Sequence, residues 1–421
     1  MPQPLSPNAH AIPPDHKSGQ IITRQREGLV EAGEDGLEVH TNDLQRIMRC
    51  AMGIPFYEGN ELKRFKNGGE AFPAMLEAID DAKHSIDMLQ FVLWRSDIAF
   101  KLLERLKAAG ERGCRVRVLL DGFGARPIRD HEIRDIVGDS ATIARFRPLR
   151  LTRGLRNTNR SHRRMLVVDH QAAFTGGIGF GQQWDRGTDG QPPWRDSHFR
   201  LSGPGVDGFF GAFAEHWAES LGQPVRGLER MPLPDQCGHA SVQVVRSDTS
   251  MKWSDVATAF RTLVSHAKSR FWLTTAYFTP DQSTIALLRR LAESGGDVRI
   301  LLPGPQVDKQ VEWYATQDVL PDLGDSGVRV FRYLPTMLHA KTLVVDDELV
   351  AFGSANFNFR SFRQDDEILV SAIDPALHQT LCDDFLDDLR HAEELPMPYE
   401  KPRGFKAGLS RWVSRRIKVH L

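Results

Sequence analysis

Two stretches of this chain match in register without a gap: SHRRMLVVDHQAAFTGGIGF from Ser161 and LHAKTLVVDDELVAFGSANF from Leu338. His162 and His339 lie 177 positions apart, as do Arg164 and Lys341, Asp169 and Asp346, and Gly176 and Gly353. An internal repeat constrains a fold strongly, because each copy must build the same local structure and bury the same face. The match also runs upstream. AMLEAIDDAKHSIDMLQFVL from Ala74 and TAFRTLVSHAKSRFWLTTAYF from Thr258 each place apolar residues at helical spacing before an Ala-Lys pair and an apolar strand. A second helix follows in both, stopped by glycine, and then a β-rich run, CRVRVLLDG or DVRILLPG.

Helices alternating with fully apolar strands predict an α/β fold of two pseudo-twofold-related units, each a mixed, mostly parallel sheet flanked by helices. The expected organisation is an N-terminal arm over 1–54, a first repeat over 55–220 and a linker over 221–240. A second repeat then spans 241–395 and a basic tail 396–421. The arm is polar with Pro and Gly, and the linker is rich in both. With 421 residues, 41% hydrophobic and 26% charged, the chain has the composition of a globular protein able to bury a large core.

Net charge is −1, so overall charge names no partner. The four cysteines (Cys50, Cys114, Cys237, Cys382) have no metal-ligand spacing and read as reduced thiols of a cytosolic protein. No apolar leader opens the chain, and no run approaches 18 apolar residues, so any membrane contact is expected from the surface.

On a strand, residues i and i+2 share a face, so His162 projects with Arg164 and His339 with Lys341. Packed about a pseudo-twofold axis, two histidines and two cations converge on one pocket suited to a phosphodiester. The cations hold the non-bridging oxygens, one histidine attacks phosphorus and the other protonates the leaving alkoxide. An unperturbed histidine pKa of about 6.5 suits both tasks. Fixed positive charge beside both rings argues against a metal ion, and no cofactor is expected.

His339, Lys341 and Asp346 in HAKTLVVD, followed by GSANFNFRS, resemble the H-x-K-x-x-x-x-D signature of the phospholipase D superfamily. With WRDSHFRLSGP from Trp194 and PTMLHAK from Pro335, the chain is most similar to bacterial cardiolipin synthases over roughly 55–395. The resemblance implies a phosphohistidine mechanism without metal. It implies a catalytic set of His162, Arg164, Asp169, His339, Lys341 and Asp346. Ser354, Asn356, Asp196 and Glu367 are implied as groups that bind substrate phosphate or orient the histidines. The first copy departs from the family pattern: Arg164 stands where lysine is usual, Gly177 faces Ser354, and Gly179 faces Asn356. In the second copy Asn358 replaces a common aspartate.

From Arg145 to Arg164 the chain carries eight arginines and no acid, a local field for lipid or nucleic-acid phosphate. The tail GFKAGLSRWVSRRIKVHL sets Phe405, Leu409, Trp412, Val413 and Ile417 on one helical face among basic residues, as suits an anionic membrane surface. The expected function is therefore a peripheral phosphatidyltransferase at the cytoplasmic face of the cell membrane. It would join two phosphatidylglycerol molecules into cardiolipin and release glycerol, with His162 as nucleophile and His339 as general acid and base, or with the two roles exchanged. The expected partners are anionic phospholipid and the membrane surface, with neither nucleic acid nor an obligate protein partner. Two rivals carry different consequences: a phosphodiesterase using water, and a non-catalytic phosphate-binding scaffold with a decayed first motif.

Overall fold

The computed structural model describes residues 43–149, 159–188, 190–227, 232–248 and 254–399. Most of the predicted arm, the middle of the arginine-rich stretch and the basic tail lie outside the described residues.

Fifteen strands form one sheet among the described residues. In chain order they are β1 (Tyr57–Lys66), β2 (Ser85–Gln90), β3 (Arg115–Asp121), β4 (Thr142–Phe146) and β5 (Met165–Val168). Next come β6 (Ala172–Gly176), β7 (Ser197–Ser202), β8 (Ala240–Arg246), β9 (Arg270–Thr274) and β10 (Asp297–Pro303). The last five are β11 (Arg329–Tyr333), β12 (Thr342–Val345), β13 (Leu349–Gly353), β14 (Ile368–Ile373) and β15 (Ala392–Glu394). At the centre β1 pairs antiparallel with β8. Outward from that joint the order is β7, β6, β5, β2, β3, β4 on one side and β14, β13, β12, β9, β10, β11, β15 on the other. Apart from β15, the two sides are the same strands of the two repeats.

The α/β class and the pseudo-twofold pairing agree with expectation, but the sheet is not mostly parallel. Within the fifteen-stranded sheet only the β2–β3, β3–β4, β9–β10 and β10–β11 joints run parallel among the described residues. Those strands are joined through helices. The strand after each histidine instead returns through a short hairpin, β5 to β6 and β12 to β13, and so short a connection permits only antiparallel pairing.

Helices Asn67–Asp81, Asp97–Glu111 and Asp130–Val137 cover the outer face of the first half-sheet. Asp255–His266 and Gln282–Glu293 cover the second. Side-chain caps start several of them: Ser96 accepts from the Ala99 N–H, Ser254 from Ala257 and Asp281 from Thr284. The inner faces of the two half-sheets meet each other, with the Phe199 and Phe352 rings stacked 3.9 Å apart. Helices Val206–Leu221 and Pro375–Leu389 pack into the same core. Strands such as β5 and β13 are therefore buried on both faces, which is why their sequences show apolar runs rather than alternation.

Candidate active site

Both histidines sit at the same edge of their half-sheets. His162 precedes β5, which runs antiparallel to β2 with Met165 opposite Leu89. His339 precedes β12, which runs antiparallel to β9 with Thr342 opposite Thr274. They thus stand beyond the carboxyl ends of the parallel strands, where α/β sheets leave a crevice. The two halves are then stitched together through the backbone. The His162 N–H donates to the Asp366 carbonyl at 2.9 Å, and the His339 N–H donates to the Arg195 carbonyl at 2.7 Å.

The side chains cross the same boundary. His162 Nδ1 lies 3.0 Å from Glu367 Oε1 and 3.2 Å from Oε2, while His339 Nδ1 lies 2.8 Å from Asp196 Oδ2. Each ring is oriented by a carboxylate from the opposite half. Each carboxylate is in turn held by its own half, at one register position. The Ser361 hydroxyl donates to Glu367 at 2.6 Å, and Trp184 Nε1 donates to Asp196 at 2.7 Å, and 361 and 184 are again 177 apart. The Ser354 hydroxyl donates to Glu367 as well and accepts the Ile368 N–H at 3.1 Å, so its place is on the carboxylate.

The cations face the rings from within each motif. Arg164 Nη2 is 3.3 Å from His162 Nε2, and Arg164 also donates to the Gly177 carbonyl. Lys341 Nζ donates to the His339 carbonyl at 2.6 Å and lies 3.3 Å from His339 Nε2. His162 is 7% exposed and His339 3%. Burial, reinforced by Arg164, holds His162 well below the usual histidine range, and burial with Lys341 does the same to His339. Both shifts favour the neutral ring, and a carboxylate beside Nδ1 favours the tautomer that carries its proton there, leaving the Nε2 lone pair free of it. Burial lowers Lys341 to about 7 against the pull of Asp196, and raises Glu367 to about 7 against its two serine donors. Two further groups have unused capacity: Arg164 Nε and Asn356 Oδ1 are buried without a hydrogen-bond partner. An anion beside Arg164 would meet a donor already desolvated.

The departures from family pattern have local causes. A Cβ on Gly177 would press into Asp196 Oδ1 and stand 2.7 Å from its Cγ, so the glycine makes room for the carboxylate. A Cβ on Gly179 would stand 2.5 Å from Val92 Cβ. Asn358 caps the Phe359–Arg363 helix by accepting the Ser361 N–H at 3.0 Å, a task asparagine and aspartate share.

One grouping requires correction. Asp169 and Asp346 were expected in the catalytic set, but they lie at the far ends of β5 and β12, in the hairpin turns. Seven residues of extended chain from each histidine is about 23 Å. Asp169 accepts the N–H groups of Lys83, His84 and Ser85 at 2.7–2.8 Å. Asp346 accepts those of Lys268, Ser269 and Arg270 at 2.8–3.1 Å. They adopt φ of 51° and 52°, a left-handed conformation that aspartate tolerates. Their contacts tie the motif hairpin to the start of the neighbouring strand.

Sequence reasoning missed the aromatic wall. Trp184, Trp194 and Tyr277 place ring centroids 5.3, 5.6 and 6.4 Å from His339, and Phe91 lies 4.8 Å from His162. It also missed a pair of buried ionic clamps. Arg195, just before Asp196, binds Asp388 of the opposite half at 2.8 Å. Asp366, just before Glu367, binds Arg147 of the opposite half at 2.8 Å. The polarity is reversed between the two, so identity comparison of the repeats hides the correspondence.

Comparison with known proteins gives the family and the fold. The family model described as cardiolipin synthase, PLD-like domain, matches residues 75–184 and 260–389. A cardiolipin synthase 1 of Bacillus anthracis is 30% identical over 373 residues, 86% of this chain and 73% of that protein. A cardiolipin synthase of Geobacillus thermodenitrificans is 29% identical over 352 residues, 83% of this chain and 70% of its own length. A crystal structure of phosphatidylserine synthase from Haemophilus influenzae superposes with a TM-score of 0.66 at 16% identity, covering 89% of this chain and 98% of that one, and so shares the fold. With its repeated histidine strands and crossed carboxylates, the chain belongs to the cardiolipin synthase family of phospholipase D-like enzymes.

Proposed function

We propose that this enzyme transfers a phosphatidyl group from one phosphatidylglycerol to a hydroxyl of a second, forming cardiolipin and releasing glycerol through a phosphohistidine. The observation that carries the reading is the pair of crossed histidine–carboxylate contacts flanked by Arg164 and Lys341. In the first step His162 Nε2 attacks phosphorus, the phosphorus–oxygen bond to glycerol breaks, and His339 gives the departing oxygen its proton. In the second, a hydroxyl of the incoming lipid returns a proton to His339 and attacks phosphorus, and the bond to His162 breaks. Glu367 and Asp196 hold the rings and stabilise the imidazolium as it forms. Arg164 and Lys341, with the Asn356 amide, take the non-bridging oxygens.

Burial disfavours the His339 cation, and the negative charge of a bound phosphodiester would offset that, so the proton is taken up together with substrate. The relatives' names and the basic apolar tail support a phospholipid substrate and a site of action at the cytoplasmic membrane surface. No helix among the described residues is long and apolar enough to cross a bilayer. The test is incubation with phosphatidylglycerol vesicles and mass spectrometry of the lipids. Cardiolipin with equimolar glycerol is expected, whereas phosphatidic acid alone would assign water as the acceptor.

A further inference from the structure

The two walls of the pocket differ in chemistry. On the His162 side the residues after β2 are Phe91 and Val92, and the loop after β3 presents Phe123, 55% exposed. Phe91 lies against His162, and Gly124 of that loop packs so closely on Phe91 that a Cβ would stand 2.7 Å from its ring. This wall is apolar. The His339 side also carries aromatic faces, Trp184 and Trp194, but it adds fixed polar groups: the counterpart of Val92 is Tyr277, 6% exposed, with its ring edge-on to His339. Its hydroxyl donates to Asp308, 2.8 and 2.7 Å from the two carboxylate oxygens. Lys309 sets its ammonium 5.2 Å from the Tyr277 ring centroid.

Asp308 and Lys309 belong to the exposed loop that follows β10, the counterpart of the loop carrying Phe123. Their charges reach the reacting groups: Lys309 acts on both histidines, and Asp308 acts on Arg164 and Lys341. A carboxylate fixed by a buried phenol, with an ammonium beside it, offers acceptors and donors to adjacent hydroxyl groups. An apolar chain would gain nothing there, since each polar group would lose water without replacement.

We infer that Tyr277, Asp308 and Lys309 form a subsite for a polyhydroxyl group beside His339, holding the glycerol that leaves and then the hydroxyl-bearing headgroup that replaces it. The Phe91–Phe123 wall correspondingly takes the diacylglycerol side of the phosphodiester. The inference rests on the proposed phosphatidyl transfer. It adds an orientation to it: the histidine on the polar side handles the protons of both alcohols, and the one on the apolar side keeps the lipid.

The full chain would be supplied with phosphatidylglycerol vesicles and equal concentrations of deuterated glycerol and ethanol. Labelled phosphatidylglycerol and phosphatidylethanol are then counted by mass spectrometry. A site that hydrogen-bonds a hydroxyl discriminates against analogues lacking it. Asp308→Ala should lower the glycerol-to-ethanol product ratio by about tenfold or more, the effect of losing one charged hydrogen bond. Tyr277→Phe should shift it the same way by less. An unchanged ratio in a folded Asp308→Ala protein overturns the subsite while leaving the transfer reaction standing. Absence of both histidine-dependent products, labelled phosphatidylglycerol and phosphatidylethanol, in the parent overturns the proposed function and the subsite with it.

Discussion

Gly177 stands where the second copy has Ser354, so Gly177→Ser would restore the sequence symmetry of the two glycine loops. We predict that it damages the enzyme. The added Cβ would press into Asp196 Oδ1 and stand 2.7 Å from Cγ, against an ordinary carbon–carbon contact of about 3.5 Å. The carboxylate must withdraw by roughly 1 Å, since the backbone it follows is pinned by the Arg195 clamp. That withdrawal breaks the 2.8 Å contact with His339 Nδ1 or the 2.7 Å bond from Trp184. A hydrogen bond to a charged group contributes about 1.5–3 kcal/mol, so kcat should fall by roughly 10- to 150-fold. The loss should appear in kcat rather than KM, because His339 is misaligned while the phosphate cations stay in place. Steady-state kinetics on phosphatidylglycerol vesicles, with thermal unfolding as a check on folding, measures this. Parent-like kcat in Gly177→Ser would refute the steric argument and with it the role given to Asp196.

Three further outcomes follow from the same geometry. Arg195→Met strands Asp388 in a buried site and should lower unfolding free energy by about 3–5 kcal/mol in urea titrations, and the double variant Arg195→Met/Asp388→Leu should recover much of that. Arg164→Ala should cost on the order of 2 kcal/mol or more of transition-state stabilisation, and Arg164→Lys should recover most of it by keeping the charge; parent-like activity in Arg164→Ala would remove the residue from phosphate binding. Deletion after Glu400 should leave a folded protein that still cleaves a soluble phosphodiester yet floats poorly with anionic vesicles at low salt, and unchanged flotation would move the membrane contact to the arginine-rich stretch.

The repeat in the sequence was enough to expect two like halves and a pocket between them, because the 177-residue register ties histidine to histidine and cation to cation. The i, i+2 rule placed Arg164 and Lys341 beside the correct rings. It said nothing of the crossing, since which half supplies the carboxylate for which ring is decided only when the halves pack. Asp169 and Asp346 show the opposite failure: proximity in a motif was read as proximity in space, although seven residues of strand carry them to the other end of the sheet. Trp184 was within reach of the same register argument that found Gly177, but tryptophan and Ser361 share only an N–H or O–H donor, not a resemblance. The sheet direction was misjudged because a hairpin and a helical crossover both read as strand, break, strand. The clamps at Arg195 and Asp366 exchange sign between copies, so an alignment sees difference where the structure has the same function.

The central claim is that His162 attacks phosphorus while His339, oriented from the other half by Asp196, moves the protons. Rapid mixing with phosphatidylglycerol vesicles, alkaline quenching and peptide mass spectrometry would examine it directly. The prediction is a phosphatidyl adduct on the peptide bearing His162, formed with an equal burst of glycerol, absent in His162→Ala and slow to appear in His339→Ala. An adduct on His339, or cardiolipin made by His162→Ala at the parent rate, would contradict it.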